Sequence, residues 1–184
     1  MNKNSWGCLV VLGALLAACA APVSKPVSSI QNKGSVYSIA VPSTALALEF
    51  PADGFKIAQA DDYRPYYFLT NDKTRLNVSF SFEPAAKCST SEACRDYFAG
   101  RMKGAYPNKT NWRSSKVGDV YASENLDAPV NGLDLRQQHM NAHIIRDGVW
   151  IDVHLSKVRY QEADRELFLN FVRSIRVRSI TARA

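Results

Sequence analysis

The chain contains three histidines, and all of them fall within residues 139–154: His139, His143 and His154. Asp152 and Ser156 lie among and beside them. Imidazoles near a carboxylate and a hydroxyl are the materials of a metal site, an acid–base pair or a hydrolytic triad. The backbone that carries them decides which of these is open. Asp147-Gly148 is a strong signal for a two-residue type I′ hairpin turn. It pairs Arg146 with Val149, and counting outward pairs Ile145 with Trp150, Ile144 with Ile151, His143 with Asp152 and Ala142 with Val153. Asn141 then faces His154, Met140 faces Leu155 and His139 faces Ser156. Alternate pairs share a face. One face is apolar (Ile144, Ile151, Ala142, Val153, Met140, Leu155), and the other holds every histidine with Asp152, Asn141 and Ser156. A slip of one residue would mix the two sets, so the register is well specified.

Three uses of that polar face compete. The ordinary one is a solvated sheet face, because antiparallel sheets commonly leave one side wet. A second is a Zn²⁺ or Cu²⁺ site on His139, His143 and His154, with Asp152 as ligand or orienter. Residues four apart on a strand stand about 13 Å apart, however, so one ion cannot take both His139 and His143. A third is a hydrolase. A triad needs one imidazole touching both a nucleophile and a carboxylate. Here His143 faces Asp152, while Ser156 faces His139, and the chain holds no GxSxG or HExxH pattern. No catalytic residue is assigned on these grounds. A metal-binding or hydrolytic role for His139, His143, Asp152 and His154 stands as the alternative.

The amino terminus reads as an address. After Lys3, the stretch from Trp6 to Ala18 is apolar or small. It is too short for a bilayer core, which needs about 20 residues, and it has the layout of a signal-peptide h-region. Leu16-Ala17-Ala18-Cys19 resembles the lipobox of bacterial lipoproteins. That resemblance implies a signal peptide over residues 1–18 and a diacylglycerol and further acyl chains on Cys19. Ala20, where Asp would retain such a protein at the inner membrane, favours an outer-membrane anchor facing the periplasm. Residues 19–34, rich in Pro, Ser and Lys, are expected to form a flexible tether, with one folded domain over residues 35–184. No cofactor is expected beyond the lipid. In an oxidising compartment the remaining pair Cys88 and Cys94 reads as a disulfide.

The 184 residues carry a formal charge of +6, with 46% apolar and 22% charged residues. That balance excludes a disordered chain, a collagen or a coiled coil, and the length suits one domain. Val36–Val41, residues 46–50, Tyr66–Thr70 and residues 76–82 read as strands by their period of two. Ser89 with Glu92 has the capping-box pattern and opens a helix presenting Cys94, Tyr97, Phe98 and Met102 on one face. A strand over residues 112–122, the long hairpin, a second helix over residues 162–175 and a short closing strand complete the order. Leu167, Phe168, Phe171, Val172 and Ile175 form that helix's buried stripe. The pattern predicts an α+β fold: an antiparallel sheet of about six or seven strands with two packed amphipathic helices.

The LEFPADGF opening, the strand pair before the first helix, the hairpin ending VWIDVHLS and the closing FVRSIRV together resemble the PsbP-like and DcrB-like α/β/α sandwich domains. The resemblance implies a non-catalytic module that binds proteins or supports assembly of membrane complexes. An envelope protein partner is therefore expected, as a secretion-system accessory or a toxin-immunity protein. Arg101, Lys103, Lys109, Arg113 and Lys116 mark a candidate basic interface, interleaved with Tyr106 and Trp112. Nucleic acid is not the expected partner of a secreted lipoprotein. Anionic lipid, cell-wall polymer or an acidic protein are.

Overall fold

The computed structural model describes residues 29–180. The expected signal peptide, Cys19 and the first part of the expected tether lie outside the described residues. Among the described residues, eleven strands and two helices follow in order. β1 (Ile30–Asn32), β2 (Val36–Ala40) and β3 (Leu46–Pro51) lead into β4 (Phe55–Asp61), β5 (Tyr66–Asn71) and β6 (Leu76–Pro84). Helix α1 (Ser91–Ala105) is followed by β7 (Thr110–Val117), β8 (Val120–Leu126), β9 (Gln138–Arg146) and β10 (Val149–Lys157). A 3-10 turn at Glu162–Asp164 enters α2 (Arg165–Ser174), and β11 (Arg176–Ser179) closes the chain.

Two antiparallel sheets form an α+β sandwich. One has four strands in the order β1-β2-β3-β11, and the other has seven, β4-β5-β6-β10-β9-β8-β7. The strands expected in one sheet divide between two: β2, β3 and β11 join the four-stranded sheet and the rest the seven-stranded one. The first strand of the four-stranded sheet, β1, takes residues assigned above to the tether. Burial explains this: Ile30 sits in the core. Ser29 is held by Asp62, whose Oδ1 accepts from the Ser29 amide at 3.1 Å and from the Tyr67 hydroxyl at 2.9 Å. β4 escaped the sequence pattern because it is an edge strand with little buried surface.

Between the sheets lies the main core. Ile39, Leu48 and Phe50 meet Val78, Phe80, Met140 and Val153, while Phe168, Phe171 and Val172 of α2 fill the same layer. Phe50 stacks on Phe80 with ring centroids 4.5 Å apart. The β9–β10 ladder has the register read from the sequence, including His143 opposite Asp152 and His139 opposite Ser156. Asp147 and Gly148 both adopt positive φ, 48° and 74°, as a type I′ turn requires.

The region between α1 and the hairpin departs from expectation in two places. Residues 112–122 are two strands, β7 and β8, reversing at Gly118 and Asp119. The cap of α1 is Thr90, whose hydroxyl accepts from the Ala93 amide at 3.1 Å. Ser89 is displaced from that role because Thr90 is the last extended residue. The hydroxyl of Ser91, one step further, accepts instead from the Ile145 amide at 3.0 Å and pins the helix to β9. Cys88 and Cys94 form a disulfide with Cα atoms 5.0 Å apart, tying the entering loop to the first turns of α1.

Candidate functional site

The polar face of the seven-stranded sheet is a grid whose rows follow from the register. Ser81, Asp152, His143 and Tyr121 make one row across β6, β10, β9 and β8. Ser79, His154, Asn141 and Ser123 make the next, and Asn77, Ser156, His139 and Asn125 the third. Sheet faces of this composition ordinarily meet water. Here α1 packs on β8 and β9 and roofs much of the grid. The expectation of a solvated face is corrected accordingly: His143 has 0% exposure, and Ser123, Asn125 and Asn141 are buried. Phe98 of α1 lies on His143 with ring centroids 5.1 Å apart, and Tyr97 meets Trp150 edge-on at 6.1 Å. These rings, with the disulfide, form a small second core between α1 and the sheet.

Two clusters result. In the first, the Trp150 indole donates to His143 Nδ1 at 3.2 Å, and Asp152 Oδ1 lies 3.5 Å from the same nitrogen. Asn141 Nδ2 donates to both Asp152 oxygens at 3.3 Å. Burial dominates the acid–base behaviour. It pushes the Asp152 carboxyl up to about 7, against the Asn141 hydrogen bond. It also lowers the His143 imidazole to about 3, with the Arg95 charge adding to the effect. His143 Nε2, Ser123 Oγ and both amide atoms of Asn125 are buried without a hydrogen-bond partner.

In the second cluster, His139 Nε2 meets Asp127 Oδ2 at 3.0 Å and its Nδ1 meets His154 Nε2 at 2.9 Å. The two rings stack with centroids 5.2 Å apart. An ionised Asp127 accepts from His139 Nε2–H, so His139 Nδ1 accepts from His154 Nε2–H. Lys109 closes the chain by an ion pair to Asp127. Burial opposes ionisation of Asp127, but its hydrogen bonds from Lys109 and His139 outweigh this and lower its pKa. Burial brings His154 down to about 4, helped by His139 and Lys109, and lowers His139 too.

The predicted polar-face residues thus divide into two sites: His139 joins His154, and His143 joins Asp152. Among the described residues, no group of three or more His, Cys, Asp or Glu side chains is arranged to hold a metal ion. The hydrogen-bond partners of the three imidazoles are Asp127, Trp150 and one another, with no serine hydroxyl among them. Trp150 lies on the same face as Asp152 in the predicted register, so its role was recoverable from spacing. Asp127 sits in a loop beyond the ladder, and no local pattern points to it.

A cavity of about 320 Å³ opens between α1 and strands β6 and β10. Its wall is the buried Trp150 with the half-buried Phe98, Met102 and Asp152, and its exposed rim includes Glu83, Lys87, Arg101 and Tyr106. The five residues of the candidate basic interface differ in what they touch. Lys109 is committed to Asp127, and Arg113 makes a two-pronged pair with Glu162 at 2.6 and 3.2 Å. Lys103 lies over Trp112 and Lys116 over Tyr121, and Arg101 lies 5.9 Å from the Tyr97 ring at the cavity rim. Among the described residues, no helix is long and apolar enough to cross a membrane.

No family model matches the chain, and no curated protein matches it. Among solved structures, the chain is similar to the solution structure of cyanobacterial PsbP (CyanoP) from Synechocystis sp. PCC 6803. That similarity has 14% identity and a TM-score of 0.49, over 89% of this chain and 99% of the other.

Proposed function

We propose that this chain is a lipoprotein of the bacterial envelope, anchored through Cys19 at the periplasmic face of the outer membrane, and that it works by binding an envelope protein rather than by catalysis. Leu16-Ala17-Ala18-Cys19 supports the anchor. Several acyl chains hold a protein at a bilayer far more firmly than one, since each buried methylene adds about 0.8 kcal/mol. The chain from Cys19 to Ser29, where the Asp62 contact fixes the domain, extends at most about 35 Å. The domain is therefore kept close to the membrane.

One observation carries the binding role over chemistry. The imidazoles of the polar face are engaged by fixed partners, Asp127 with His154 for His139 and Trp150 for His143. Burial keeps His143 and His154 neutral at physiological pH. Such groups serve as a rigid polar floor. A nucleophilic mechanism needs a hydroxyl or thiol in contact with the base.

The test is crosslinking of the full chain in its own membrane, comparing the wild type with Cys19→Ala. A discrete envelope protein that crosslinks only to the membrane-held form supports the reading. The opposite result is a chain giving only self-adducts, or one that carries stoichiometric zinc or copper and loses it when His139 and His154 are replaced.

A further inference from the structure

Four ionisable side chains surround the cavity beneath α1, two acids and two bases. Asp152 and Glu83 are the acids, and Lys87 and Arg101 are the bases. Among the described residues Glu83, Lys87 and Arg101 belong to no ion pair, unlike Lys109, Arg113, Glu124 and Arg165 nearby. Lys87 and Arg101 each stand 5.9 Å from the Tyr97 ring, so both lie beside the same aromatic side chain of the lining. Asp152 is placed differently. It sits on β10 opposite Ser81 of β6. Its side chain is only 19% exposed, and its contacts from Asn141 are long, 3.3 Å to each oxygen. A carboxylate offers about four acceptor sites, which leaves capacity facing the cavity. Between the charges the walls are Trp150, Phe98 and Met102.

This arrangement selects by charge geometry. A simple cation would meet the acids but also two unpaired bases, and a simple anion would meet the reverse. A molecule carrying both signs, with an apolar body, complements both kinds of charge and the apolar wall between them. The volume lies at the small end of ligand sites, which start at about 300 Å³.

We propose that this cavity binds a small zwitterion of the α-amino-acid type, its ammonium at Asp152 and Glu83, its carboxylate at Arg101 and Lys87, and its side chain against Trp150 and Phe98. This goes beyond the protein-binding reading. It fails separately from it, because the titration below needs neither the lipid nor the partner.

The full chain, purified in detergent, is titrated by calorimetry with L-phenylalanine and with its two half-analogues. Phenethylamine lacks the carboxylate, and 3-phenylpropionate lacks the ammonium. L-phenylalanine is expected to bind once per chain, with each half-analogue about tenfold weaker or more, the loss of one charge-assisted contact. Asp152→Asn should weaken L-phenylalanine by a similar factor while leaving 3-phenylpropionate unchanged. Arg101→Ala should weaken it while leaving phenethylamine unchanged. Ala105→Trp, which fills the cavity from its rim, should abolish binding with an unaltered circular-dichroism spectrum. Phenethylamine binding as tightly as L-phenylalanine, undiminished binding to Ala105→Trp, or no saturable binding of any of the three would overturn the proposal.

Discussion

The indole of Trp150 donates to Nδ1 of His143 at 3.2 Å, within a layer closed by Phe98 and the Cys88–Cys94 disulfide. That bond sets the tautomer, because a neutral imidazole accepting at Nδ1 carries its proton on Nε2. It also constrains Asp152, whose Oδ1 is 3.5 Å from the same accepting nitrogen. An ionised carboxylate there would set two acceptors against each other in a buried site. In the unliganded protein a protonated Asp152 avoids this, in agreement with its raised pKa, and a cation bound at its cavity-facing oxygen would draw the proton off.

Trp150→Phe keeps a ring under α1 but removes the donor. His143 Nδ1 is then left in a buried site without its N–H partner, a loss of about 1–3 kcal/mol. Urea unfolding should show a lower midpoint with an unchanged slope.

Stability should peak near pH 6.5, and the sign follows from the shifts. His143 and His154 titrate at about 3 and about 4 when folded, below the ordinary 6.5. The unfolded chain therefore gains these protons first, and stability falls as pH drops below 6.5. Asp152 acts oppositely: its folded value of about 7 lies above the ordinary 3.8. Its contribution is present below that lower value and lost as pH rises toward 7. Between pH 4 and 6.5 these two imidazoles outweigh one carboxyl, a net slope of about 1.4 kcal/mol per pH unit, and the lowered His139 adds to it in the same direction. The groups facing Asp152 are Asn141 and His143 of β9 and Ser81 and Glu83 of β6, and Arg101 of α1 lines the same cavity. Asp152→Asn should leave stability flat above pH 6.5 and steepen the acid limb. Denaturant melts from pH 4 to 8 measure both arms.

Reduction of Cys88–Cys94, or its replacement by two alanines, should cost about 2 kcal/mol, as expected for a short closed loop. The effect should be local. The amides of α1 should exchange faster with deuterium than those of β6, β9 and β10, because the disulfide and the Ser91–Ile145 bond hold the start of the helix to the sheet.

Glu124 provides a contrasting buried charge. Its side chain is 1% exposed and is met by Arg165 at 2.6 and 3.0 Å, which ties the first residue of α2 to β8. Arg165→Met should destabilise by about 3–5 kcal/mol, since it strands the carboxylate. The double variant with Glu124→Gln should recover much of that loss in the same melt.

Local chemistry made much of this visible in the residues. Asp147-Gly148 and the alternation on either side of it specify the β9–β10 register, and with it the facing of His143 and Asp152. The stripe of Phe168, Phe171 and Val172 likewise announces α2. What covers the polar face is another matter. The period of two says which residues share a face, not which distant element lies over it. α1 presents mostly partly exposed side chains, with Cys94 alone fully buried, so its pattern gave no sign of a roof over histidines. The Asp127 partner and the division of the histidines depend on that long-range packing.

The measurement that tests the envelope-anchor reading most directly is the mass of the mature amino terminus, taken from the membrane fraction of the native cell. A terminal peptide beginning at Cys19 and carrying a diacylglycerol, absent from Cys19→Ala, is the expected result. An intact terminus at Met1, or a peptide starting elsewhere without lipid, would contradict it.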